Sequence, residues 1–383
     1  GKSKIALTAQ TGNLKATGAV HTDTDAALTA GRDVTLAGTF SAGSAQLTAG
    51  ENAVLGGTTD VGETLTAKVG RDLVTNGAVT TGQNFVATVG NNLTTNETVT
   101  TGSDFTATAG NDFTSNDKLA AGQNLVANVG NDFTTSGAVT TGSDFTANVG
   151  NNVTTNNIVT TGSSLAVKAT NDLTAHAAVL SHGTAQLDAQ NVKLNADLTA
   201  DKNLTITATK NIFTKEGTNL STKTDGRLKA HSARLDGDVR ADSTLTIETD
   251  DKLTAKNITA GSAATLNAGT ALTAHDVTAG GDAVLNVGAD LTANDVNVIG
   301  NTNITAGADF KVHDVNVGGD LNAKGQNITA ESIKSTGKTV LTATTDSITA
   351  KNLRADGTLD AVAKNNLTVD TVTGKSKIAL TAQ

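Results

Sequence analysis

Six histidines, at 21, 176, 182, 231, 275 and 313, are the side chains best suited to ligating a metal or moving a proton. Only His176 and His182 are close along the chain, and no cysteine or third histidine joins them. A zinc site needs three or four donors in one shell, so the six rings read as exposed turn residues and no metal is expected. The turns Gly102-Ser103-Asp104, Gly110-Asn111-Asp112, Gly130-Asn131-Asp132 and Gly142-Ser143-Asp144 share a Gly-x-Asp core with the calcium nonapeptide repeat. Their glycines alternate in steps of 8 and 12, the double glycine is missing, and Asn often stands for Asp. They read as plain turns closed by Asx hydrogen bonds. Asn92, Asn96, Asn152, Asn203, Asn219, Asn257, Asn303, Asn327 and Asn366 each precede x-Ser or x-Thr. Asn-rich turns beside Thr-rich strands generate such triplets by composition alone. Thr80, Thr100, Thr140 and Thr160 form a column of the kind ice binding uses, but Ala120 interrupts it. No Gly-x-Ser-x-Gly elbow, phosphate loop or paired-carboxylate pocket stands in the sequence. The chain therefore reads as a non-enzyme with no catalytic residue and no cofactor.

Composition narrows the classes further. The 383 residues include 39 Gly and 8 Phe, with no Pro, Cys, Met, Trp or Tyr. So few large side chains cannot fill wide globular cores, and no disulfide can form. The net charge is −9, and the basic residues are scattered rather than grouped with aromatics. Nucleic-acid binding, which needs a basic face and stacking rings, is excluded as a reading. No run of 18 apolar residues could span a bilayer as a helix. Disorder would suit the polar content, but the placement of the apolar residues decides against it.

Those residues recur with a period of 20. Gly62, Gly82, Gly102, Gly122, Gly142 and Gly162 keep the step without a slip, as do Gly70, Gly90, Gly110, Gly130 and Gly150. Leu65, Phe85, Phe105, Leu125, Phe145 and Leu165 form one apolar column, and Val69, Val89, Ala109, Val129, Val149 and Ala169 a second. Leu73, Leu93, Phe113, Phe133, Val153 and Leu173 form a third, and Val79, Val99, Leu119, Val139, Val159 and Val179 a fourth. Within a unit the period is 2, as in Phe85-Val86-Ala87-Thr88-Val89, followed by a Gly-Asn-Asn turn. A 20-residue unit of short strands cannot bury its own apolar face, whereas stacked units can. Farther on the step becomes 19, in Leu253, Leu272, Leu291 and Phe310 and in Leu266, Leu285 and Ile304. The expected fold is all-β, a right-handed parallel β-helix with 19–20 residues per coil. At about 4.8 Å per coil, roughly 19 coils would make a rod on the order of 90 Å long. Residues 1–383 read as one continuous segment without a linker, most regular over 62–180 and least over 181–250.

The same period stacks polar side chains. Asn76, Asn96, Asn116, Ser136 and Asn156 share a slot that reads as an amide ladder, each side chain bonding the next. The slot Asn84, Asp104, Asn124, Asp144, Ser164 alternates amide with carboxylate, which keeps like charges about two coils apart. Gly1–Gln10 recurs unchanged as Gly374–Gln383, 373 positions later. That identity, with Gly1 in place of an initiator Met, predicts a fragment of a longer fibre built on a natural 373-residue block, or else a deliberately closed design.

Units such as TTGQNFVATVGNNLTTNETV and AAGQNLVANVGNDFTTSGAV resemble the roughly 20-residue repeats of filamentous haemagglutinin and of the contact-dependent inhibition stick exoproteins. The secretion-recognition domain, the Cys-bearing region and the carboxy-terminal toxin of such proteins are not in this sequence. The resemblance implies a very long exoprotein, exported by two-partner secretion through an outer-membrane transporter and displayed on the surface of a Gram-negative cell. It fits a chain with no Cys to lock a loop and no Pro to interrupt a ladder or isomerise slowly. The leading expectation is a structural stalk that projects an adhesive tip. A second is that the repeats themselves bind glycans, a receptor or neighbouring rods many times weakly, or form the stick of a toxin-delivery protein. A polysaccharide-active enzyme is the remote third.

Overall fold

A computed structural model describes residues 4–383. All regular structure in them is β, in 49 strands. Each described pairing is parallel, with partners about one coil apart in sequence, so the chain forms a β-solenoid of about 19 turns. Contacts divide it into two compact units, Gly1–Gln190 and Asn191–Gln383.

In the first unit a coil is three short strands joined by tight bends, for example Phe85–Val89, Leu93–Thr95 and Val99–Thr101. Alternation sends residues 85, 87 and 89 inward and 86 and 88 outward, and the β-branched outward side chains suit a pleated surface. Each inward side chain lies on its counterpart one coil away. Leu65, Phe85, Phe105, Leu125, Phe145 and Leu165 are successive register partners. So are Leu73, Leu93, Phe113, Phe133 and Val153. Together with Val69, Val89, Val129 and Val149 these residues are all at most 5% exposed, so they constitute the core. Five phenylalanines form one aromatic spine. Phe85 stacks on Phe105 at 5.1 Å, Phe113 meets Phe133 at 5.0 Å with the rings tilted by 31°, and edge contacts join Phe105–Phe113 and Phe133–Phe145 at 6.0 and 6.2 Å. Such offset and edge-on geometries add to area burial.

The glycine column has a packing cause. Only Gly217 has positive φ among the described residues, so Gly82, Gly102, Gly122, Gly142 and Gly162 are not there for a left-handed turn. A Cβ on any of them would strike the carbonyl oxygen of the glycine one coil earlier. Gly62 starts the column and differs. Its Cβ would meet nothing closer than the Gly43 oxygen at 3.5 Å.

The second unit winds differently. From Leu253 onward a coil is one long bent strand and one short one, as in Leu253–Ala260 and Ala264–Ala268. Leu253, Leu272, Leu291 and Phe310 are register partners in steps of 19, as are Leu266, Leu285 and Ile304. The irregular stretch has a local explanation. Leu198 pairs with Leu220, a step of 22, because a turn is inserted at 215–218. Thr218 N–H bonds the Lys215 carbonyl at 2.9 Å, and Gly217 takes φ 78°, the left-handed value a type II turn demands at its third residue.

Candidate functional site

The outward surface is built from hydrogen-bonded columns rather than from a cleft. In the Asn slot, Asn96 donates its amide to Asn76 Oδ1 and Asn116 donates to Asn96 Oδ1, both at 2.7 Å. Ser136 is too short to carry the chain of amides onward. Asn156 shares the slot, exposed, one step beyond that gap, and no side-chain amide bond reaches it among the described residues.

The alternating slot works through the backbone. Asn84 Oδ1 accepts Asp104 N–H at 3.1 Å, Asp104 Oδ1 accepts Asn124 N–H at 3.0 Å, and Asp144 Oδ1 accepts Ser164 N–H at 2.9 Å. A further slot, Asp72, Asn92, Asp112, Asp132, Asn152 and Asp172, does the same with bonds of 3.0–3.2 Å. Here two aspartates, Asp112 and Asp132, stand in neighbouring coils. They tolerate each other because Asp112 Oδ1 also accepts Asn131 Nδ2 at 2.7 Å, and Asp132 Oδ1 accepts Asn151 Nδ2 at 2.8 Å. Charge-assisted bonds to amide donors hold each carboxylate. The Asp residues of the Gly-x-Asp turns are thus rungs between coils. Their side-chain bonds cross to the next coil instead of closing the local Asx turn expected.

Hydroxyls line the interior as well. Thr101, Thr141 and Thr161 point inward and donate to the carbonyl two residues on, at 3.1, 2.9 and 2.9 Å. Thr80, Thr100 and Thr140, one residue earlier, face outward and are exposed. Residue type alone gave no sign of the inward column.

No protein-family model, curated protein or solved structure matches this chain. Functional chemistry is therefore read from the side chains themselves. In the second unit several carboxylates sit below the usual carboxylate range. The Thr244 hydroxyl and backbone N–H hold Asp225 down, the Thr270 hydroxyl Asp251, the Asn365 amide Asp346, and the Lys375 ammonium Asp356. Asp225 is exposed and the other three are half-buried, and all four are ladder or ion-pair members. The grooves among the described residues follow the coils. One apolar groove, of about 470 Å³, runs beside Ile299, which is 72% exposed.

The histidines depart from the expectation of exposed turn residues. All six are exposed, but His21, His275 and His313 stand on strands. His21 bonds Ser41 Oγ at 2.6 Å and approaches Asp23 at 3.2 Å. His275 and His313 adjoin a column of aspartates, Asp276, Asp295 and Asp314, that are register partners in consecutive coils. The 19-residue step contained this column. Counting His-to-His distances along the chain could not find it, because the partners are carboxylates 18 and 19 residues apart.

Proposed function

We propose that this chain is a fibre segment, the stalk of a large secreted bacterial surface adhesin exported by two-partner secretion. The observation that carries the reading is the coil-by-coil construction of both units. Strand, core column and polar rung each bond to the counterpart about one coil away, so coils can be added without any new interaction. Outward columns of Thr, Asn and Asp suit a solvated spacer. An absence of exposed Trp, Tyr and Arg clusters argues against a strong contact hot spot. In this reading the chain is not an enzyme. Its partners are the outer-membrane transporter that exports it and a receptor or glycan met by another part of the fibre.

The test couples purified chain to beads and measures attachment to epithelial cells and to bacteria at physiological salt, with negative-stain imaging alongside. A spacer gives elongated particles and no saturable attachment. Saturable attachment that soluble chain competes away would shift adhesion onto the coils themselves. Globular particles would end the fibre reading.

A further inference from the structure

Asp276, Asp295 and Asp314 occupy one slot in three consecutive coils, directly paired in register. The strands Leu272–Ala279, Leu291–Val298 and Asp309–Val317 carry them at a bend where in-out alternation skips one residue. Residues 313 and 314 therefore both leave the core on the outer side, and so do 275 and 276. Asp72, Asp104, Asp112, Asp132 and Asp144 each take a backbone N–H from the next coil on Oδ1. Here that compensation fails at the centre. Asp295 Oδ1 is sealed from solvent and has no hydrogen-bond partner, whereas Asp276 Oδ1 has at least the Asn294 amide at 3.5 Å. No Lys or Arg forms an ion pair with any of the three among the described residues. Lys311, two residues before His313, is drawn to Asp309, and Glu331, one coil beyond His313, is taken by Lys351.

What does face Asp295 and Asp314 is an imidazole. His313 Nδ1 lies 3.4 Å from Asp314 Oδ1 and 3.9 Å from Asp295 Oδ1, and ligand atoms of the three residues all fall within 4.8 Å of one another. Two ligands bound to one zinc at about 2.0–2.2 Å with a tetrahedral angle are separated by about 3.3–3.6 Å. Drawing the ligand atoms around a cation would require movements on the order of 1 Å. It would also supply the positive charge that the buried oxygen lacks.

We propose that Asp295, His313 and Asp314 form a surface site for a borderline divalent cation, Zn²⁺ or a neighbour such as Co²⁺ or Ni²⁺. One nitrogen and two carboxylate oxygens come from the protein, and water fills the remaining positions. The imidazole sets the class, because Ca²⁺ and Mg²⁺ take oxygen ligands. The proposal is independent of the stalk reading.

The test is calorimetric titration of the full chain with ZnCl₂ in chelator-cleared buffer near neutral pH. The visible absorption of the Co²⁺-loaded chain gives a second readout. Saturable binding of one Zn²⁺ per chain is expected, weakened about tenfold or more by His313→Ala and by Asp295→Asn. The Co²⁺ band should change with His313→Ala and remain in a His176→Ala/His182→Ala control. His313 is an exposed side chain, so its variant retains the wild-type circular dichroism. Absence of saturable Zn²⁺ binding overturns the proposal. Zn²⁺ binding indifferent to both substitutions, or Ca²⁺ competing on equal terms, overturns it as well.

Discussion

Gly102 and Gly62 occupy one column, yet a methyl group added to each should act in opposite directions. Gly102→Ala drives a Cβ into the Gly82 carbonyl oxygen of the preceding coil. That oxygen is backbone, so relief means parting two coils. The bonds first loosened are Gly102 N–H to the Thr81 carbonyl and Gly122 N–H to the Thr101 carbonyl, each 2.8 Å. Overpacking costs about 1–3 kcal/mol and a strained bond about 1 kcal/mol more. We expect Gly102→Ala to destabilise its coil by about 2–4 kcal/mol. Gly62→Ala meets only ordinary contact at 3.5 Å, without positive φ. It restricts the unfolded chain and should stabilise by about 0.4–1 kcal/mol. The assay is hydrogen exchange read peptide by peptide over residues 59–69 and 99–105, because coils of a repeat array open locally. Protection lost around residue 102 and kept or raised around residue 62 is the expected result. Equal loss at both sites would mean that glycine is selected for its backbone conformation, and the close-approach reasoning would be wrong.

Phe113→Ala removes the centre of the aromatic spine and should cost about 3–5 kcal/mol, while Phe113→Leu should cost under about 1.5 kcal/mol; urea melts followed by circular dichroism compare them. Asn96→Asp can still accept from Asn116 but cannot donate to Asn76. It should lose about 1 kcal/mol, and exchange protection at residues 96–98 reports it. Acid should weaken the second unit. Asp225, Asp251, Asp346 and Asp356 have lowered folded values, so their contribution is complete above the unfolded value near 3.9 and is lost as pH falls through the folded ones. Exchange protection of unit-two peptides should hold from pH 7 to about 5 and drop below about 4, after correction for intrinsic exchange rates. A profile flat to about pH 2 would refute the assignment.

Core columns such as Leu65–Phe85–Phe105 were legible because one side chain per coil carries one apolar signal at a fixed step. Polar columns were only half legible. Asn76 and Asn96 announced themselves by identity. By contrast, Thr101 and Thr100 are the same residue in adjacent positions, and only the pleat decides which one turns inward. The second carboxylate ladder was masked in the same way. Asp112 and Asp132 read as local Asx turns, and the donors that let them stand in neighbouring coils come from Asn131 and Asn151, whose direction no spacing reveals. The bend that places His313 beside Asp314 breaks strict alternation, so period-2 reading sends the two to opposite faces. The insertion at 215–218 stood in the sequence as a lapse of period, without a stated cause until Gly217 was seen to need its left-handed φ.

Parallel stacking also sets how such a coil yields to force. Bonds between coils run along the stacking direction, so a pull on a terminal strand loads one ladder at a time, in the opening geometry of a zipper. A freed 20-residue coil can extend to about 65–70 Å in exchange for about 4.8 Å of stack height. Tension would therefore be met by evenly spaced releases of length. The releases should be hardest through the stacked rings of Phe85 to Phe145, leaving the remaining coils intact as the load falls.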